Sequence, residues 1–376
     1  MLTYWHFFII FVVAFVVTVA LTPVVRSIAI RFGVVDKPGP RRVTTKPIPR
    51  LGGIAMCIAM LVAFVVEIAC EAAGLCAGPF FEGGHFSPRM AGLIAGLVLI
   101  VIVGAVDDVK SLPPIIKFGG QIVAALIIAV TGTLLGAVKI PFSDIHVELG
   151  LWAYPFTVIY LVCFANVINL IDGLDGLAAG ISGLAGISLF VLVVGQQHID
   201  AALVAVILVA ICAGFLIYNF SPASIFMGDS GALLLGFLLG TVSLLGSARF
   251  SSVTALAVPV VIAGVPVIDT LSAIIRRIRG HQPISSADAG HIHHRLLRQG
   301  YSQRKAVLII YLWTAVLCVG GCVVWQVGGL LKYLVLIALL LLSSAIIWRL
   351  GLFGPVLQHK YGPGPGHSTD PSDGEE

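Results

Sequence analysis

The chain is 376 residues long, 59% hydrophobic and 11% charged, with a mean hydropathy of +1.06. That balance excludes an ordinary soluble domain and defines a polytopic membrane protein. The net charge of +4 says little as a total, because the placement of Lys and Arg sets orientation in a membrane. No acidic or basic domain stands apart, and no nucleic-acid partner is expected. Of seven cysteines, Cys57, Cys163, Cys212, Cys318 and Cys322 fall within apolar runs as small hydrophobes. Cys70 and Cys76 flank a loop, with a spacing that does not favour a disulfide over two free thiols.

Runs of about 20 apolar residues, enough to cross roughly 30 Å of hydrocarbon, predict eleven helices. They lie near 5–25, 51–72, 90–106, 118–138, 152–168, 178–195, 201–219, 232–248, 253–275, 305–326 and 330–350. The first run has no Lys or Arg before it and carries Arg26 and Arg31 after it, the reverse of a cleaved signal peptide. With the amino terminus outside, eighteen of the 22 basic residues fall on the cytoplasmic side, leaving only Arg89, Lys139, Arg249 and Lys332 outside. The expected fold is therefore all-α, a polytopic integral membrane protein with a cytoplasmic carboxy terminus. The stretch 139–151 predicts a short external β-hairpin.

In chain order, the first cytoplasmic loop, 35–53, is rich in proline and basic residues, with Arg50 set before Gly52 and Gly53. The next carries the adjacent carboxylates Asp107 and Asp108, then Lys117 and Gln121. Adjacent carboxylates repel unless a cation or proton shares them. The fifth span ends in Asn166, Asn169, Asp172 and Asp175, polar groups at three-residue steps that hold one helical side, with Gly173 and Gly176 loosening the backbone. An isolated Asp175 would read as a helix cap, but four groups in register point to a hard cation with phosphate.

Gly228, Asp229, Ser230 and Gly231 open the eighth span, where bare amides at a helix start suit a phosphate and Asp229 suits a metal that bridges it. Asp269 lies inside the ninth span, with Arg276 on the same face as an alternative partner. The loop after it carries His291, His293, His294 and Arg295, a donor-rich clamp for an anion, with zinc as the competing reading. No Walker-type loop and no internal repeat occur. All these groups except Asp269 sit on the predicted cytoplasmic face, so one shared site is expected. Its chemistry is metal-assisted phosphoryl transfer between a soluble diphosphate and a lipid-borne acceptor.

Asp-Asp with Lys117 and Gln121, the Asn-x-x-Asn-x-x-Asp-Gly-x-Asp-Gly-Leu run, Gly-Asp-Ser-Gly and His-Ile-His-His-Arg, in this order, resemble the polyprenyl-phosphate N-acetylhexosamine-1-phosphate transferases, glycosyltransferase family 4. The branch most resembled is the bacterial undecaprenyl-phosphate N-acetylglucosaminyl-1-phosphate transferases. The resemblance implies UDP-GlcNAc and undecaprenyl phosphate as substrates, UMP as product, Mg²⁺ or Mn²⁺ as cofactor, and a bacterial inner-membrane enzyme with a cytoplasmic active site. A homodimer is compatible with it. By position it implies catalytic roles for Asp107, Asp108 and Asp229, and metal binding by Asp229, Asn169 and Asp108. Lys117, Asn166, Asp172, Asp175, His291, His293, His294 and Arg295 would bind substrate. The runner-up is the phospho-MurNAc-pentapeptide transferase, whose three consecutive histidines are here interrupted by Ile292. A transporter ranks last, since transporters concentrate charge near the midplane and only Asp269 stands out inside a span. The transferase domain is expected over 1–355, with a disordered cytoplasmic tail over 356–376.

Overall fold

Backbone amides and carbonyls in hydrocarbon must find partners within their own segment, so long apolar runs become helices. In the computed structural model, which describes residues 3–36, 47–139, 146–195, 198–247, 259–279 and 290–352, they do. The helices are α1 (Thr3–Arg31), α2 (Gly52–Ala72), α3 (Pro88–Lys110), α4 (Pro114–Val130), α5 (Ala153–Ile171), α6 (Leu177–Val194) and α7 (Ile199–Asn219). They continue with α8 (Gly228–Ser247), α9 (Gly264–Arg279), α10 (Ile292–Arg298), α11 (Gln303–Gln326) and α12 (Gly329–Leu350). Among the described residues nine helices are long and apolar enough to cross a membrane. Of the eleven predicted spans, the fourth corresponds to the shorter apolar helix α4. The ninth lies partly outside the described residues, and its described part includes α9. The expected tail, 356–376, falls outside the described residues.

Three antiparallel pairs of short strands join helices: β1 (Val35–Asp36) with β2 (Ile48–Pro49), β3 (Phe81–Glu82) with β4 (His85–Phe86), and β5 (Ala137–Lys139) with β6 (His146–Glu148). The last pair occupies the stretch where a hairpin is predicted, with Val138 opposite Val147.

Helix α8 is the most enclosed of the long apolar helices and α12 the least. It packs against α2, α3, α5, α6 and α7, and it does so at very short range on its site-bearing end. A Cβ added to Gly53 in α2 would lie 2.0 Å from the amide nitrogen of Gly231, and one added to Gly104 in α3 would lie 2.5 Å from Ser230 Cα. Two helices thus meet the first turn of α8 backbone to backbone. Their own carboxyl or amino ends, with those of α4 and α5, are brought to one end of the bundle.

Candidate active site

The sequence pair Asp107 and Asp108 closes α3, and the two carboxylates do different work. Asp108 Oδ1 accepts from the amide of Asp229 at 2.8 Å, and its Oδ2 accepts from the amide and hydroxyl of Ser230 at 3.1 and 2.8 Å. It caps α8, where a negative charge is favoured by the helix dipole. Gly228 makes this possible: its φ is +70°, and a Cβ there would sit 2.4 Å from Asp108 Oδ2. The amides expected to be bare for a phosphate are therefore already occupied by Asp108. That corrects the reading of this helix start as a phosphate site, and the cause is a cap supplied from a different helix, 121 residues away in sequence.

Relieved of capping, the Asp229 side chain turns into the site. Its Oδ2 accepts from Lys117 Nζ at 2.7 Å and its Oδ1 from Asn169 Nδ2 at 2.6 Å. Lys117 also reaches Asp107 Oδ2 at 2.9 Å, while Asp107 Oδ1 accepts from the Leu112 amide at 2.6 Å. One ammonium on α4 thus lies between carboxylates of α3 and α8. Asn166, one turn before Asn169, donates to Gln121 Oε1 at 2.6 Å and to the Val162 carbonyl, tying α5 to α4. The structure places it as a brace beside the site.

Beyond α5 the chain carries Asp172 and Asp175 to opposite duties. Asp172 is half-buried at the site, and burial, followed by the nearby charges of Asp229, Asp108 and Asp175, pushes its carboxyl up to about 8. Asp175 turns inward and accepts from the Ala223 amide at 3.0 Å, fixing the loop between α7 and α8. Asn219, absent from the sequence reading, completes that support: it accepts from the Gly176 amide at 3.1 Å and donates to the Ile225 carbonyl at 2.9 Å. An Asn ending an apolar run was the available signal.

The histidine segment closes over this loop. A Cβ on Gly173 would meet His293 Nε2 at 2.5 Å, so α10 rests on the Asp172–Asp175 turn. His293 is buried, and burial, reinforced by His294, lowers its imidazole to about 3. Three cationic imidazoles in one clamp are therefore not what the segment presents; His293 is neutral. Its ring lies parallel to that of His291, centroids 5.7 Å apart, and tilted to that of His294 at 4.3 Å. Arg295 Nε donates to the Gly290 carbonyl at 3.0 Å and its terminal nitrogens face the Leu350 and Leu352 carbonyls. It fastens α10 to the end of α12. Asp269, whose expected alternative was Arg276, instead accepts from the Ile292 amide and pairs with His291 Nδ1, both at 2.8 Å. Arg50, singled out in the first loop, lies 3.7 Å from Asp36.

A buried carboxylate was also overlooked. Glu67, inside α2 at the opposite end of the bundle, is wholly buried, 3.6 Å from His6 Nε2. Asp269 is thus not alone inside a span; Glu67 was hidden by the strong apolar average of its window.

Whether these residues suit a metal follows from their donors. Among the described residues no three His, Cys, Asp or Glu side chains form a ready-made ligand group. The carboxylates of Asp107, Asp172 and Asp229 nevertheless share one end of the bundle with the ammonium of Lys117, which bonds two of them. Hard oxygen donors in excess of cations fit Mg²⁺ held jointly with substrate phosphates.

Residues 90–247, which span α3 to α8 and hold Asp107, Asp108, Asp172, Asp175 and Asp229, match the model of glycosyl transferase family 4. A Bacillus subtilis (strain 168) protein named "Probable undecaprenyl-phosphate N-acetylglucosaminyl 1-phosphate transferase" is 38% identical over 91% of this chain and 86% of its own. The decaprenyl-phosphate N-acetylglucosaminephosphotransferase of Mycolicibacterium smegmatis is 36% identical over 82% of this chain and 79% of its own. A phospho-N-acetylmuramoyl-pentapeptide-transferase of Clostridium beijerinckii is 29% identical over 50% of this chain and 56% of its own. The chain belongs to glycosyl transferase family 4.

Proposed function

We propose that this chain transfers GlcNAc-1-phosphate from UDP-GlcNAc to undecaprenyl phosphate, releasing UMP, at the cytoplasmic face of a bacterial inner membrane. The observation that carries the reading is the hydrogen-bonded chain from Asp107 through Lys117 and Asp229 to Asn169, at the same end of the bundle as the histidine segment. The names of the relatives support the substrates, and the distribution of Lys and Arg supports the orientation.

In this reading an oxygen of the lipid phosphate bonds to the sugar-bearing phosphorus of the donor, and the bond from that phosphorus to the UMP oxygen breaks, the electron pair leaving with UMP. Asp107 and Asp229, with the free carboxamide oxygen of Asn169, would hold Mg²⁺. The chemistry it would supply there is neutralisation of phosphate charge. Lys117 supplies a second positive charge beside the transferring group. Asp108 is committed to the α8 amides through both oxygens, which supports direct attack by the lipid rather than a covalent intermediate on that residue. It keeps α8 in place, and with it Asp229. His291 and His294 line the donor side, with His293 as their neutral, buried backing.

The interruption of the histidines by Ile292, with the fuller coverage of the N-acetylglucosaminyl relatives, supports the GlcNAc donor over the muramoyl-pentapeptide one. The test is UMP release by purified protein given undecaprenyl phosphate, Mg²⁺ and a panel of UDP-sugars. UDP-GlcNAc alone is expected to give UMP, with the signal lost in EDTA and in Asp107→Asn. Release only from UDP-MurNAc-pentapeptide would select the other branch, and silence with every donor would reject the reaction.

A further inference from the structure

Asp269 is a buried carboxylate that the reaction above leaves without a task, and its surroundings are specific. It is 1% exposed, and its two oxygens are divided between the first amide of α10, at Ile292, and the Nδ1 of His291, both at 2.8 Å. We propose that Asp269 is a positioning residue for His291, holding that imidazole in one tautomer and one orientation so that its Nε2 serves the diphosphate of the sugar-nucleotide donor. The inference rests on the donor reading given above.

An ionised carboxylate can only accept, so the proton between the two groups sits on His291 Nδ1 and Nε2 is the nitrogen a ligand can use. The same carboxylate anchors the backbone one residue further on, so ring and helix start are fixed from a single point. The ring face is fixed as well, because His291 lies parallel to His293, with only 7° between the planes. His293 in turn backs onto Gly173, beside Asp172. A chain of contacts therefore runs from α9 through two imidazoles to the turn that follows α5. On the α9 side, the Ser272 hydroxyl donates to the Asp269 carbonyl and accepts from Arg276, which steadies the helix where the carboxylate departs.

Asp269→Asn separates positioning from mere packing. The amide keeps the size of the side chain and can still accept from Ile292, but it sets an N–H against His291 Nδ1. The imidazole then has to carry its proton on Nε2. In the full-length protein the Michaelis constant for UDP-GlcNAc is expected to rise about tenfold, the scale of one charge-assisted hydrogen bond, with that for undecaprenyl phosphate and the melting temperature nearly unchanged. Nitrogen-15 imidazole spectra are expected to show the His291 proton moving from Nδ1 to Nε2, a readout independent of turnover. Asp269→Asn combined with His291→Ala is expected to be no worse than His291→Ala alone.

Equal rises in both Michaelis constants, additive losses in the double variant, or an Nε2 proton already present in the wild type would overturn the proposal. Should Asp269→Asn fail to fold, His291→Ala, which leaves the Asp269–Ile292 contact intact, must show the same selective rise for the donor; normal donor kinetics in that variant would overturn it too. An inactive wild type would reject the reaction reading, and the spectra would still decide the role of Asp269.

Discussion

Asp108 on α3 caps α8 through the amides of Asp229 and Ser230, and by doing so frees the Asp229 side chain for Lys117 and Asn169. Two adjacent carboxylates in sequence thus become one structural and one site-facing group. Asp108→Ala is expected to lower the melting temperature in detergent, by the loss of a cap and a buried hydroxyl partner worth about 1–3 kcal/mol, and to abolish UMP release. Asp229→Ala is expected to abolish UMP release at a melting temperature close to the wild type. Equal thermal losses in the two variants would show that the division is not real.

Lys117 is the cation between Asp107 and Asp229. Removing it in Lys117→Ala leaves two partly buried carboxylates facing each other, a destabilising arrangement. The variant is expected to melt earlier than the wild type in EDTA and to recover more of that loss than the wild type when Mg²⁺ is added, because one cation substitutes for another. Thermal melts with and without Mg²⁺ check this, and a Mg²⁺ response no larger than that of the wild type would contradict it.

Gly173 has no room for a side chain, since a Cβ would approach His293 Nε2 to 2.5 Å. Gly173→Ala is expected to push α10 off the turn and raise the Michaelis constant for the donor at least tenfold, while the lipid constant stays put. Steady-state kinetics with each substrate varied in turn provides the measurement.

His293 holds its neutral form down to about pH 3, against about 6.5 for a free imidazole. As pH falls below about 6.5 the unfolded chain takes up a proton there that the folded chain refuses, so stability drops from pH 6.5 toward 3 and is flat above. His293→Gln is expected to melt less steeply over that window. Asp172 has the opposite slope, since its raised carboxyl keeps a proton that unfolding would release between about 4 and 8; being common to both proteins, it cancels in the comparison.

The polar clusters of the site were legible because membrane spans contain so few polar groups that any regular set of them stands out. Asn169, Asp172, Lys117 and Asp229 come together as their spacing and shared face imply. What sequence could not supply was partnership across long separations. That Asp108 would occupy the α8 amides, that Asp175 would turn toward Ala223, and that Asp269 would choose His291 over Arg276 depend on how helices cross, not on local pattern. Arg295 illustrates the same limit: beside three histidines it reads as an anion clamp, yet Leu350 at the end of α12 and Leu352 just after it present carbonyls to it. Glu67 was missed for a different reason, because one carboxylate hardly alters the average of an apolar window.

At the junction of Gly53, Gly104 and the first turn of α8, two glycines bring α2 and α3 against the backbone of Ser230 and Gly231 with no room for a Cβ. The two carboxylates that flank Lys117 stand on α3 and α8 beside this junction, so their spacing depends on that close backbone approach together with the Asp108 cap. The α9–α10 segment is held differently, through the side chains of Asp269, His291 and Arg295. The candidate site thus rests on one side on backbone packed too tightly for a side chain, and on the other on side-chain contacts that a single substitution can change.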